Sequence, residues 1–167
     1  MSRAVAARAF GPGDAAALLG LHRDCLAYYR CGPTPPEVER ELLRELVSPF
    51  GTEAHLAWRA AEPVGFAFAL RVPAGPGFAL YLKELYIVER ARGDGAGRAL
   101  MRAVAERALA LDARRLQWET GEPDARRFYA SLGAARTDKT HYAVAAEDLP
   151  TFAAAVARPL PARPPGG

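Results

Sequence analysis

The chain has 167 residues, half of them hydrophobic, which is enough to bury one substantial core and too little for two comfortable domains. Its 22 basic and 19 acidic residues leave a net charge of +3 carried by arginine, since Lys83 and Lys139 are the only lysines; so mild an excess excludes a nucleic-acid stripe. Cys25 and Cys31 are badly spaced to pair, His22, His55 and His141 are too scattered for a metal site, and no apolar run nears the ~18 residues that cross a membrane, so a soluble cytoplasmic chain without metal, nucleic-acid or membrane partners is expected.

Arg3 to Phe10 reads as a first strand, broken by Gly11-Pro12-Gly13, with Asp14 placed to cap a helix from Ala15 to Tyr29. Leu18, Leu21, Cys25 and Tyr28/Tyr29 recur there at spacings of three and four, and Gly32-Pro33 ends the pattern. Thr34-Pro35-Pro36-Glu37 opens a second helix with Thr34 as cap and Leu42, Leu43 and Leu46 inward, up to Ser48-Pro49. Ala54 to Arg59, Val64 to Val72 and Phe78 to Val88 read as an antiparallel meander. A helix follows to Leu111, with Leu100, Val104, Ala108 and Leu111 packing while Arg102 and Glu106 pair outside. Then come a strand Arg115 to Glu119, a helix Asp124 to Leu132 ended by Gly133, a last strand around His141 to Ala145 and a short helix Leu149 to Val156. The order β-α-α-β-β-β-α-β-α-β predicts an α/β (α+β) fold, a mixed, mostly antiparallel sheet flanked by helices. Residues 1–157 form one domain in this reading, and the Pro/Gly-rich tail 158–167 is expected to be disordered.

The segment Arg92-Gly-Asp-Gly-Ala-Gly-Arg98 joins a strand to a helix. Glycines at 93, 95 and 97 let the backbone turn tightly and present N–H groups at a positive helix start, and Arg92 and Arg98 add charge, so a phosphate is the natural guest. A P-loop would need Gly-Lys-Ser/Thr, and a dinucleotide fingerprint would need a glycine where Arg98 or Leu100 stands. The bland alternative is a tight connection with no ligand.

This segment resembles the Arg/Gln-x-x-Gly-x-Gly/Ala signature of the GNAT superfamily of acetyltransferases, and Ala125-Arg-Arg-Phe-Tyr-Ala-Ser-Leu-Gly-Ala134 resembles the family's Ala-x-x-x-Tyr-x-x-x-Gly-Phe/Ala helix. The likeness is close from Leu80 to Ala134, and the element order agrees with the GNAT fold. The resemblance implies acetyl-CoA as cosubstrate. Its pyrophosphate would lie on the backbone of Gly93, Asp94, Gly95, Ala96, Gly97 and Arg98, beside Arg92. Its pantetheine arm would pair with Leu85, Tyr86 and Ile87 where the fourth and fifth strands splay.

The same resemblance puts Tyr129 at the position of the acid that protonates the leaving thiolate; the alternative is an aromatic packed beside Phe128. In Tyr81-Leu-Lys-Glu-Leu-Tyr-Ile87, similar to the diamine-acetyltransferase-like subgroup, Lys83 replaces the first acid, which leaves Glu84 as the candidate base or as a salt-bridged strand residue, with Glu119 a second candidate. Glu122 stands where the family often has an asparagine on the pantetheine arm, and as a first-turn acid it also suits the helix dipole. Tyr28, Tyr29, His141 and Tyr142 are the candidates for acceptor contacts. Direct acetyl transfer to a small-molecule amine is the favoured activity. A protein N-terminus or lysine as acceptor, a non-catalytic acetyl-CoA-binding module and a homodimer all stay open.

Overall fold

A computed structural model describes residues 4–48 and 51–156; Arg3, Pro49 and the tail from Arg158, which carried expectations above, lie outside the described residues. The chain divides into two compact units, Met1–Thr120 and Gly121–Gly167.

The first unit contains β1 (Val5–Ala9), α1 (Ala15–Tyr28), α2 (Pro36–Leu46), β2 (Glu53–Arg59), β3 (Glu62–Ala74), β4 (Gly77–Ile87), α3 (Ala96–Ala110) and β5 (Leu116–Gln117). The strands form one sheet in chain order. Every neighbouring pair is antiparallel except β4 and β5, which run parallel. The result is the mixed, mostly antiparallel sheet flanked by helices that the sequence predicts.

Alternation along the strands sends opposite side chains to opposite faces. Arg107 of α3 grips Glu53 of β2 through two bonds of 2.6 and 2.7 Å, which places α3 on the face shared by Glu53, His55 and Ala57. Directly across the ladder, Ala67 and Gly65 lie on that same face. Small residues there let α3 seat Leu100 and Val104, both with no exposed surface. The other face carries Phe66 and Phe68, whose rings lie 6.1 and 5.9 Å from His22 of α1. Leu18, Leu21 and Cys25 are the buried stripe of that helix, as their spacing predicts.

Two predicted caps act differently. The Asp14 carboxylate does not cap α1; it accepts bonds from Arg8 at 2.6 and 2.7 Å and from the Gly11 N–H at 2.8 Å, closing the turn before the helix. Thr34 does not cap α2. Pro35 occupies the N-cap and Pro36 the first helical position, where proline's fixed φ starts the helix without a side-chain cap. Arg23 binds Glu39 through both carboxylate oxygens at 2.7 and 2.6 Å, joining α1 to α2 and holding that carboxyl below the usual range. Arg102 and Glu106 pair at 2.7 Å on the exposed side of α3, as expected.

The second unit contains α4 (Pro123–Ser131) and α5 (Leu149–Val156). Gly133, with φ of +83°, follows the end of α4, where a left-handed residue is needed and glycine supplies it. The strand expected around His141 to Ala145 does not form: these residues belong to no strand of the sheet. Ala143 and Ala145 offer little surface to bury, and Tyr142 is 87% exposed, so the segment lacks the half-buried face that favours pairing. The order is therefore β-α-α-β-β-β-α-β-α-α.

Candidate functional site

The site begins with an irregularity in β4. Phe68 lies opposite Glu84 and Ala69 opposite Leu82, so Lys83 is an extra residue, a β-bulge. A regular strand would put Leu82 and Glu84 on one face. The bulge instead leaves Leu82 on the face of α3 with Ala69 and sends Glu84 and Tyr86 to the face of α1, opposite Phe68 and Phe66. There Glu84 is half-buried, and burial pushes its carboxyl above the usual range, partly offset by the Leu85 N–H that donates to it and by Lys83. Cys25 lies in the same environment; burial, with the charge of Glu84, raises its thiol to about 12, so it is no nucleophile. Lys83 itself is exposed.

Downstream of the bulge, no strand among the described residues pairs with the second edge of β4. The ladder to β5 pairs only Leu80 with Leu116 and Tyr81 with Gln117, whereas the ladder to β3 continues to Ile87. Residues 82–87 thus keep a strand-like edge without β5, and Leu85, Tyr86 and Ile87 all lie on it. Leu85 and Ile87 face α3, and Tyr86 faces α1. Burial raises the Tyr81 pKa, and Glu119, just past β5, adds to the rise by accepting a hydrogen bond from the Tyr81 hydroxyl.

The open edge leads into the glycine turn. Gly93 and Gly95 have φ of +85° and +87°, the left-handed region that side chains with a Cβ rarely adopt, and the space above both is open for 4 Å. Gly95 is the N-cap of α3. The first main-chain bond of the helix runs from the Ala99 N–H to the Gly95 carbonyl at 2.9 Å, which leaves the N–H groups of Ala96, Gly97 and Arg98 without an intrahelical acceptor. Arg98 is exposed and makes no ion pair among the described residues. These donors, with a positive helix end behind them, fit a pyrophosphate. Asp94 is bound by Arg59 at 2.9 Å.

Arg92 does not point free. Its guanidinium stacks 4.5 Å over the Tyr28 ring and donates to the Ile87 carbonyl at 3.2 Å and the Tyr28 hydroxyl at 3.4 Å. Tyr28 also meets Tyr29 edge-on at 5.1 Å. Beside them an open groove of about 620 Å³ is lined by Asp24, Tyr28, Tyr86, Glu89 and Arg90. In the second unit, Tyr129 is a partly exposed residue of α4 with its ring 5.2 Å from Phe128, Glu122 is the N-cap of α4, and His141 and Tyr142 lie exposed in the irregular segment.

The model of the acetyltransferase (GNAT) family matches residues 18–134. The chain belongs to this family. It is an acetyl-CoA-dependent N-acetyltransferase, since the family generally draws its acetyl group from acetyl-CoA. Among solved structures, an integron cassette protein from the mobile metagenome of Vibrio cholerae is similar at 25% identity, with 92% of this chain and 98% of that one covered and a TM-score of 0.77. A protein of Agrobacterium tumefaciens, provisionally assigned as an acetyltransferase, shares 26% identity over 84% of this chain and 99% of its own, with a TM-score of 0.71. An aminoglycoside acetyltransferase from an uncultured soil metagenomic sample, at 16% identity, covers 84% and 95% with a TM-score of 0.75 and shares the fold. A search of the curated proteins finds no significant match.

Sequence reasoning missed the bulge at Lys83 and the partners of the GNAT turn, Arg59, Glu62 and Arg90. The bulge leaves no mark in composition, and Arg59 lies 35 residues before its partner Asp94.

Proposed function

We propose that this acetyltransferase moves the acetyl group of acetyl-CoA to a primary amine of a small molecule by direct attack within a ternary complex. The observation that carries the reading is the continuity of the open β4 edge, residues 82–87, with the left-handed Gly93 and Gly95 and the unused N–H groups that follow. An extended arm bearing amides can pair along such an edge while its phosphates sit on the helix start. Acetyl-CoA supplies the thioester as acetyl donor. The N–H groups of residues 93–98 hold its phosphates, with Arg98 adding charge. Glu84, with its raised pKa, takes the proton of the incoming ammonium, directly or through water, so that a neutral amine attacks. Tyr129, at the family's tyrosine position, gives a proton to the departing sulfur. The groove lined by Asp24, Tyr28, Tyr86, Glu89 and Arg90 supports a small cationic acceptor through the Asp24 and Glu89 carboxylates, since the charge of Arg90 is engaged by Glu62.

The test is a screen of the purified protein with acetyl-CoA against polyamines, amino acids, aminoglycosides and peptides, following thiol release and acetylated product by mass. Product from small amines supports the reading, and product from peptides alone overturns the small-molecule assignment.

A further inference from the structure

Gly93 and Gly95 give the turn its shape but no side chain to hold it, so Asp94 between them is the residue through which the rest of the protein can grip the loop. It is gripped from far away in sequence. Arg59, the last residue of β2, binds Asp94 through one guanidinium nitrogen at 2.9 Å and Glu62 through another at 3.0 Å, and Glu62 binds Arg90 at 2.9 Å. The Arg59 side chain is 22% exposed and is the most enclosed member of the chain Asp94–Arg59–Glu62–Arg90. Both sides of the turn, Arg90 before it and Asp94 within it, are thereby tied to the hairpin between β2 and β3.

The electrostatics add a second role. Asp94 places a carboxylate inside a turn whose other features all favour an anion. Left alone, that charge would repel a pyrophosphate; paired with Arg59, it is neutralised and fixed. We infer that Arg59 is a positioning residue for acetyl-CoA binding: it anchors the glycine turn through Asp94 and cancels the Asp94 charge at the phosphate site. This rests on the proposed use of the turn for acetyl-CoA. It predicts a loss of affinity from removing Arg59 that is larger at low salt, is partly repaired by also removing the charge it cancels, and is not matched by the change in unfolding midpoint, a combination that a purely structural salt bridge would not show.

The experiment is calorimetric titration of acetyl-CoA into the wild type, Arg59→Ala, Arg59→Lys, Asp94→Asn and the double variant Arg59→Ala/Asp94→Asn, at low and high salt, with thermal unfolding alongside. Arg59→Ala is expected to weaken binding roughly tenfold, more at low salt than at high salt. Arg59→Lys keeps most of the affinity, and the double variant binds more tightly than Arg59→Ala. If Arg59→Ala fails to fold, the lysine variant and Asp94→Asn carry the test, with Asp94→Asn binding at least as tightly as the wild type because its amide oxygen still accepts from Arg59 while the charge is gone. Binding by Arg59→Ala equal to the wild type, a double variant no better than Arg59→Ala, or weaker binding by Asp94→Asn overturns the inference. Failure of the wild type itself to bind acetyl-CoA would instead overturn the proposed function on which it rests.

Discussion

Glu84 sits where burial disfavours its charge, on the α1 face to which the bulge at Lys83 sends it. With the folded pKa above the unfolded value near 4.3, ionisation costs the fold stability as pH rises through the interval between the two, and the cost is constant above it. Glu84→Gln removes that cost. Its unfolding midpoint should therefore lie above that of the wild type at pH 7 and merge with it at acid pH, while turnover falls by roughly 10²–10⁴-fold if Glu84 is the base. Wild-type turnover should climb with pH through the folded pKa of Glu84; melting curves and rates on one pH series check both statements. Tyr129→Phe keeps the ring beside Phe128 and deletes only the hydroxyl, so acetyl-CoA affinity should hold while turnover drops by about 10²-fold, the low end for a general acid because a thiolate already leaves readily. Wild-type turnover in the Phe variant across pH would leave Tyr129 as a packing residue.

At the scale of elements, β4 carries the residues proposed for the site, and its position depends on Gly65 of β3. A Cβ there would lie 2.6 Å from the Tyr86 carbonyl oxygen and 2.6 Å from the Ile87 side chain. Because one of these is backbone, Gly65→Ala should push the end of β4 outward, cost about 1–3 kcal/mol of stability, and weaken acetyl-CoA binding at the adjoining turn; denaturant titration and calorimetry check it. The meander, α3 and the glycine turn were legible because their signals are local: alternation, a stripe at 100, 104 and 108, and glycines between a strand and a helix. The shape of the site was not. Leu82, Lys83 and Glu84 read as a regular strand, and nothing in them announces the extra residue. Nor could the sequence show that β5 is only Leu116 and Gln117, since its expected length came from Arg115 to Glu119 and the ladder stops where β4 is left open. The expected strand at His141 to Ala145 failed because alternation between small residues does not make a face worth burying.

At the scale of the whole molecule, the first unit buries His55 and partly buries His22. Desolvation holds His55 and His22 below the usual imidazole range, although Glu53 pulls His55 up against Arg107, and Glu39 pulls His22 up. Neither Nδ1 has a hydrogen-bond partner among the described residues, and His55 is 5% exposed. With folded values below the unfolded value near 6.5, stability should fall as pH drops below about 6.5 and level off once the folded values are passed. Unfolding midpoints from pH 7.5 to pH 5, taken in the Glu84→Gln protein to remove the opposing titration of Glu84, should show this decline, and it should be shallower when His55→Gln is added. The proposed activity depends most on the glycine turn as the seat of acetyl-CoA. Gly97 occupies the second position of α3, and because the Cα–Cβ bonds of a helix tilt toward its N-terminus, a β-branched residue there crowds the approach to the first N–H groups. Calorimetric titration of acetyl-CoA into the wild type and Gly97→Val, with unfolding curves to show both are folded, tests that claim directly. Saturable binding by the wild type and its loss in a folded Gly97→Val protein is the predicted result; unchanged affinity in the folded variant would contradict it.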